Sequence, residues 1–207
     1  MRTGNEHEIR VCLIRHGATK SNEERRYVSV TDEELSEKGR EACLIRAELA
    51  SNVDEVYISP LKRCRQTAEI IFAGRQDFIE IPELKEMNFG IFEGKNYEEL
   101  KDDREYSDWL SSNCMGPIRN GESRADFTKR VTKGLHNILK MSANNKCIAI
   151  VCHGGTIMAI TSQLLGSGYY DHMLGNGQLL ALDIKYTLNG EEDVDISSCS
   201  IAYRDNN

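Results

Sequence analysis

Three β-rich runs in this chain end abruptly in polar residues and pass straight into helical patterns. That repeated junction limits the fold more than any other feature. Residues 9–14 (IRVCLI) lead into Arg15-His16-Gly17-Ala18-Thr19. Residues 55–58 lead into Ser59-Pro60-Leu61-Lys62-Arg63, and the apolar run 147–152 leads into His153-Gly154-Gly155-Thr156. Apolar residues at helical spacing lie between them: Leu35, Ala42, Ile45 and Leu49; Leu61, Cys64, Ala68 and Ile71; Phe127, Val131, Leu135 and Ile138 in a long helix from about residue 123 to 141; and a helix after 153 running through Leu165. Residues 78–81 read as a short strand, and runs 178–186 and 194–203 flank an Asn189-Gly190 turn, the mark of a hairpin. Strands alternating with helices predict an α/β fold, a three-layer α/β/α arrangement with a mostly parallel sheet. Residues 87–122 break the alternation. They are polar, hold the only tryptophan, Trp109, and are expected to form a small lid insertion over one sheet edge.

Composition narrows the partners. The 207 residues suit a single domain, 1–207, with that insertion. A hydrophobic fraction of 40% plus 16 Gly, with only 3 Pro, is globular and not disordered. The longest apolar run, 147–152, is far short of the about 20 residues that span a bilayer. The first residues lack the apolar core of a secretion signal. The 7 cysteines form no Cys-x-x-Cys pair, so free thiols in a reducing cytoplasm are expected. A net charge of −7 gives no general attraction for nucleic acid or an anionic membrane. Any phosphate must therefore be caught by local cations. Oligomeric state leaves no mark in the sequence.

The strand ends supply such cations. Ligands of open α/β sheets bind at the carboxyl ends of strands. Gly17, Gly154 and Gly155 let the backbone approach a ligand, and helix N-termini favour anions. Ser59-Pro60 reads as an N-cap and first turn, which puts Lys62 and Arg63 at the positive end of the following helix. A cation there costs about 0.3–1 kcal/mol unless an anion binds beside it. Taken singly, each residue has a bland reading: a strand-end histidine is more often structural, and Arg63 fits a solvated surface pair. Their coincidence is what carries weight. Arg15, His16, Arg63 and His153 together can converge on one tetrahedral anion, and guanidinium forks match phosphate oxygens two at a time.

In order and combination these segments resemble the histidine phosphatase superfamily, in its phosphoglycerate-mutase-like branch. Residues 15–19 resemble the Arg-His-Gly signature. Asn22 and Arg26 are similar to the first-loop Asn and Arg, and 31–39 to the segment after it. Residues 59–68 resemble the helix of the second Arg, 86–94 the general-acid segment, and Gly121-Glu122-Ser123 and 152–155 the last two blocks. Ser29, Glu34 and Ala18 depart from the pattern in the substrate-entry loop, which leaves the substrate open. The resemblance implies two-step transfer through phosphohistidine. His16 would be the nucleophile. Arg15, Arg63 and His153 would hold the phosphoryl oxygens, with His153 partly cationic when phosphate is bound. Glu86 would act as general acid and then base. Its pKa would have to be raised, with Glu83 or Glu93 as candidates to help. Asn22, Gly17, Thr19, Ser123 and Gly154 would contact substrate.

No metal or other cofactor is implied. Neither His-Glu-x-x-His nor the Cys-x5-Arg of cysteine phosphatases occurs, and Cys152 reads as a small core residue. The segment 89–94 and Gly155 are similar to the phosphatase side of the family. The expected activity is a phosphomonoester phosphatase on a small molecule, releasing inorganic phosphate, with an α-ribazole 5'-phosphate phosphatase the nearest subgroup. Phosphoglycerate mutase is one alternative. A non-catalytic phosphate-binding module is another, although such a module would be expected to have lost one of the five residues His16, His153, Arg15, Arg63 and Glu86.

Overall fold

The computed structural model describes residues 6–46, 52–142, 144, 146–189 and 193–205. One six-stranded sheet organises them, in the order β3-β2-β4-β1-β5-β6. The strands are β1 (Glu6–Arg15), β2 (Glu55–Ile58), β3 (Ile79–Glu80), β4 (Cys147–Cys152), β5 (Leu179–Asn189) and β6 (Asp193–Arg204). The first four run parallel, and β5 and β6 form an antiparallel hairpin on the β1 side. The α/β class is as expected. The hairpin matches the reading of 178–203, although Gly190 of its turn lies outside the described residues.

Side-chain alternation in the strands makes two apolar faces. Ile9, Val11 and Leu13 of β1 pack with Ile148 and Ile150 of β4 against α6 (Arg124–Met141) and α7 (Gly154–Leu165). Cys12 and Ile14 pack with Val56, Ile58, Ala149 and Val151 against α2 (Glu37–Leu44) and α3 (Lys62–Ile71). Leu61, Cys64, Ala68 and Ile71 of the second sequence stripe are all buried, as are Phe127, Val131, Leu135 and Ile138 of the third. Each fully buried aliphatic side chain contributes about 1.5–3 kcal/mol.

Three expectations need correction. The first stripe holds only at Leu35, which is buried: α2 buries Gly39 and Cys43, while Ala42 is exposed and Ile45 is 73% exposed. The helix is short and packs edge-on, because Gly39 sits against the 17–18 backbone, where an added Cβ would lie 2.1 Å from the Ala18 carbonyl oxygen. Leu49 lies outside the described residues. The third strand is only Ile79–Glu80. The insertion 87–122, expected as a polar lid, has an apolar interior. It contains a 3-10 turn (Gly90–Phe92), α4 (Tyr97–Leu100) and α5 (Arg104–Ser111), and it buries Phe92, Leu100, Tyr106, Trp109 and Ile118 in the larger core. Most of its charges mark the outer faces of short helices capped by Asn96 and Asp103, while Glu93 and Glu122 turn inward to the backbone amides of Ser29, Thr31 and Asn88.

Register sets the site. Arg15 of β1 pairs with Cys152 of β4, and Ile58 of β2 pairs with Val151. The amide of His16 bonds the Cys152 carbonyl at 3.0 Å, and that of Ser59 bonds the Val151 carbonyl at 3.0 Å. The three strand ends are therefore level, and residues far apart in sequence leave the sheet side by side.

Candidate active site

The His16 and His153 rings meet edge to face, with centroids 5.1 Å apart and planes at 66°. Both are buried. The Nδ1 of His16 lies 2.7 Å from the carbonyl oxygen of Gly17, an acceptor only, so Nδ1 carries the proton and Nε2 keeps its lone pair. Burial, followed by the charges of Arg63 and Arg15, pushes the His16 pKa well below the ordinary value, which leaves the ring neutral near pH 7. His153 is pushed down likewise by burial, Arg63, His16 and Arg15. A bound dianion would oppose both shifts.

His153 is held from two sides. The Nε of Arg63 donates to its Nδ1 at 3.3 Å, so Nε2 carries the proton and donates to the Ser59 hydroxyl at 2.8 Å. Ser59 is therefore not the expected helix cap. Helix α3 starts from Leu61, without a side-chain cap, and the serine orients the imidazole instead. Lys62 and Arg63 still occupy the first turn, as expected. The missed role of Ser59 follows from register, which a single sequence does not display. Ser59→Ala is expected to free the His153 ring and lower kcat by about tenfold with little change in melting temperature; steady-state kinetics and a thermal melt on the purified variant check this.

Arg63 is 1% exposed. Its Nη1 and Nη2 donate to the carbonyls of Thr31 and Ser29 at 2.9 and 3.0 Å. Arg15 donates from Nη1 to the Leu174 carbonyl at 2.5 Å, and its buried Nε has no partner. Burial lowers the Arg15 pKa, and the charge of Glu86 opposes this. Neither guanidinium has a carboxylate within ion-pair distance among the described residues. Buried charge without a counter-ion is costly unless it is well bonded, so this pair is poised for an incoming anion.

Glu86 stands at the same cavity. Its carboxylate accepts from the amides of Met87 at 2.8 Å and Gly155 at 3.0 Å. The Gly155 N–H at the start of α7, expected to await a ligand anion, is thus taken by a protein carboxylate. Burial raises the Glu86 pKa, while those two amides, Arg15 and Arg63 pull it down. The expected carboxylate neighbours play no part. Glu83 faces Lys133, and Glu93 binds the amides of Ser29 and Thr31. A Cβ at Gly155 would lie 2.2 Å from the Glu86 Oε1, and one at Gly154 would lie 3.2 Å from the Arg15 Cζ, so this pair of glycines sets how closely acid and cation approach the helix.

The other candidates divide. Asn22 lines the cavity, with its amide oxygen accepting from Asn176 at 3.1 Å. Gly154 lines it too. Thr19 is buried beneath the loop as N-cap of α1 (Lys20–Glu23), and the Gly17 amide is held by Thr67 at 3.0 Å. Ser123 caps α6 and donates to Asp126 at 2.6 Å. None of these three lines the cavity, and the fully buried Arg63 and His153 sit just behind its lining residues Arg15 and His16. Among the described residues no group of three or more His, Cys, Asp or Glu is placed to hold a metal ion, and no helix is long and apolar enough to cross a membrane.

Paired imidazoles with unneutralised guanidiniums at level parallel strand ends define a site for a tetrahedral oxyanion, with an acid beside it. The chain belongs to the histidine phosphatase superfamily (branch 1), whose family model matches residues 11–187. Like that family, it is a phosphatase with a histidine nucleophile. It is 32% identical to an Escherichia fergusonii protein named provisionally as a phosphoglycerate mutase, over 76% of this chain and 75% of that one. A provisionally named α-ribazole-5'-phosphate phosphatase of Escherichia coli superposes with a TM-score of 0.82 at 25% identity, covering 96% of each chain. A phosphoserine phosphatase of Entamoeba histolytica, solved with 3-phosphoglyceric acid, gives 0.75 at 30% identity over 93% of this chain and 96% of that one.

Proposed function

We propose that this chain hydrolyses a small-molecule phosphomonoester in two steps through phosphohistidine at His16, without a metal ion. The meeting of two neutral imidazoles, centroids 5.1 Å apart, beside two guanidiniums lacking counter-ions carries this reading. In the first step the Nε2 lone pair of His16 attacks phosphorus and the bond to the alcohol oxygen breaks. Glu86, protonated, gives its proton to that oxygen. In the second step Glu86 takes a proton from water, the water oxygen attacks phosphorus, and the P–N bond breaks to release inorganic phosphate. Arg15 and Arg63 hold the non-bridging oxygens, where most of the rate enhancement of phosphoryl transfer arises, and His153 joins them by exchanging its Ser59 partner for the anion.

Hydrolysis is favoured over mutase chemistry because a mutase must also hold a second phosphate. Of the two guanidiniums that line the cavity besides Arg15, Arg26 is neutralised by Glu24 and Glu99. That leaves Arg124 for a second dianion. α-Ribazole 5'-phosphate, drawn from the name of the Escherichia coli neighbour, is a candidate substrate.

The purified protein is expected to hydrolyse p-nitrophenyl phosphate at an undiminished rate in EDTA and to be inhibited by vanadate. A panel of α-ribazole phosphate, phosphoserine, sugar phosphates and phosphoglycerates ranks substrates. Rapid isomerisation of 3-phosphoglycerate primed with 2,3-bisphosphoglycerate, outpacing all hydrolysis, would reject the phosphatase reading.

A further inference from the structure

The cavity reaches well beyond the phosphate cradle, with about 280 Å³ of open space. Its lining also carries Tyr27, Phe89, Trp109, Met158, Tyr169 and Met173. The first three are locked to one another. The Tyr27 ring lies 5.0 Å from Phe89 and 5.9 Å from Trp109, and its hydroxyl bonds that of Tyr106 at 2.9 Å. An aromatic wall already ordered, with Phe89 and Trp109 tilted by 56° and 81° to Tyr27, costs little entropy when a ring settles against it.

Arg124, at the start of α6, completes the rim. Its guanidinium lies 4.3 Å from the Tyr169 ring centroid, and it donates to the Tyr170 hydroxyl at 3.1 Å and to the Asn113 carbonyl. Among the described residues no carboxylate pairs with it, whereas Arg26 on the same cavity has two. Arg124 is therefore a positioned positive charge on the cavity that no carboxylate among the described residues neutralises.

We infer that the alcohol half of the substrate is an aromatic body bearing an anionic oxygen, with Arg124 as the residue that reads that oxygen. The inference rests on the phosphatase reading, names its substrate class, and disfavours α-ribazole 5'-phosphate, whose alcohol half is aromatic but carries no anionic oxygen. Serine or glycerate would leave the aromatic wall unfilled. An unsubstituted ring would fill it and leave Arg124 unanswered.

Leaving groups of similar basicity isolate recognition from chemistry, so the test uses alkyl phosphates only. The kcat/KM for benzyl phosphate is expected to exceed those for O-phosphoserine and 3-phosphoglycerate by about tenfold or more, from the apolar area buried. Of 3- and 4-carboxybenzyl phosphate, the better is expected to exceed its methyl-substituted counterpart by about tenfold through a charge-assisted hydrogen bond. Arg124→Met, which keeps the apolar stem, is expected to bring that ratio close to one. A ratio is indifferent to the fraction of folded enzyme, so a merely structural role for Arg124 leaves it unchanged, and that result overturns the assignment. Preference for phosphoserine or phosphoglycerate overturns the aromatic class while leaving the phosphatase reading intact. Hydrolysis of none of these esters, nor of p-nitrophenyl phosphate, overturns that reading itself.

Discussion

His16→Ala is expected to lower kcat by roughly 10⁴-fold or more, the scale on which removal of a covalent nucleophile acts. The loss should appear with every phosphate ester, because the P–N bond precedes release of product whatever the alcohol. Brief incubation of the native enzyme with radiolabelled substrate, followed by alkaline quench, should trap label that is stable in base and lost in acid, as phosphohistidine is. The variant should trap none. Substantial turnover in the variant would overturn the assignment. Stability should shift too, with a defined sign. The folded-state pKa of His16 is depressed, so below about 6.5 the unfolded chain binds a proton that the folded chain does not. The native protein therefore loses stability as pH falls through that value, and His153 adds to the effect. Removing His16 removes one of the two contributions. The drop in melting temperature between pH 7.5 and 5.5 should be smaller in His16→Ala than in the native chain.

Much of this site was legible because strand ends announce themselves. An apolar β-rich run that stops at Arg-His-Gly or His-Gly-Gly needs no long-range information to be noticed, and the parallel-sheet rule says that such ends gather at one rim. His16, His153 and Arg63 were found that way and do meet. What stayed hidden depends on pairing register or on packing between distant segments. Ser59 looks like a cap from its local sequence, yet the offset that pairs Ile58 with Val151 places it under His153. Thr19 and Ser123 illustrate the converse: hydroxyls next to helices, within or beside site motifs, that serve the helices. The insertion misled through composition. Its exposed charges outweigh Phe92, Tyr106 and Trp109 in a residue count, but those three decide how it packs. The α2 stripe failed because a short helix lying against a glycine-lined backbone buries a narrow face, which a helical period drawn across a turn overextends. Arg124 at the start of α6 and Tyr169 after the end of α7 meet at the cavity, a convergence with no signature in sequence.

Glu86→Gln separates the two half-reactions. Glutamine keeps the shape but cannot give a proton to an alkoxide or take one from water. For alkyl phosphates the first step should slow by about 10²–10⁴-fold. p-Nitrophenolate leaves without a proton, so its first step should survive while the second, which needs a base, does not. The variant should therefore release about one equivalent of p-nitrophenol per site in a rapid burst, then turn over slowly with phosphate held on His16. The native enzyme should show a decline in kcat/KM for alkyl phosphates as pH rises through the Glu86 pKa, because the acid must be protonated. Burial places that pKa above the ordinary carboxylate value, even against Arg15, Arg63 and two amide donors. The alkaline decline should flatten in Glu86→Gln. Only one terminal atom of glutamine can accept, so either the Met87 or the Gly155 amide loses its partner, and some loss of stability is expected. That loss would slow both ester classes alike and produce no burst. A variant that behaves so, with p-nitrophenyl and alkyl phosphates equally impaired, would remove Glu86 from the proton path and leave the raised pKa as a consequence of burial alone.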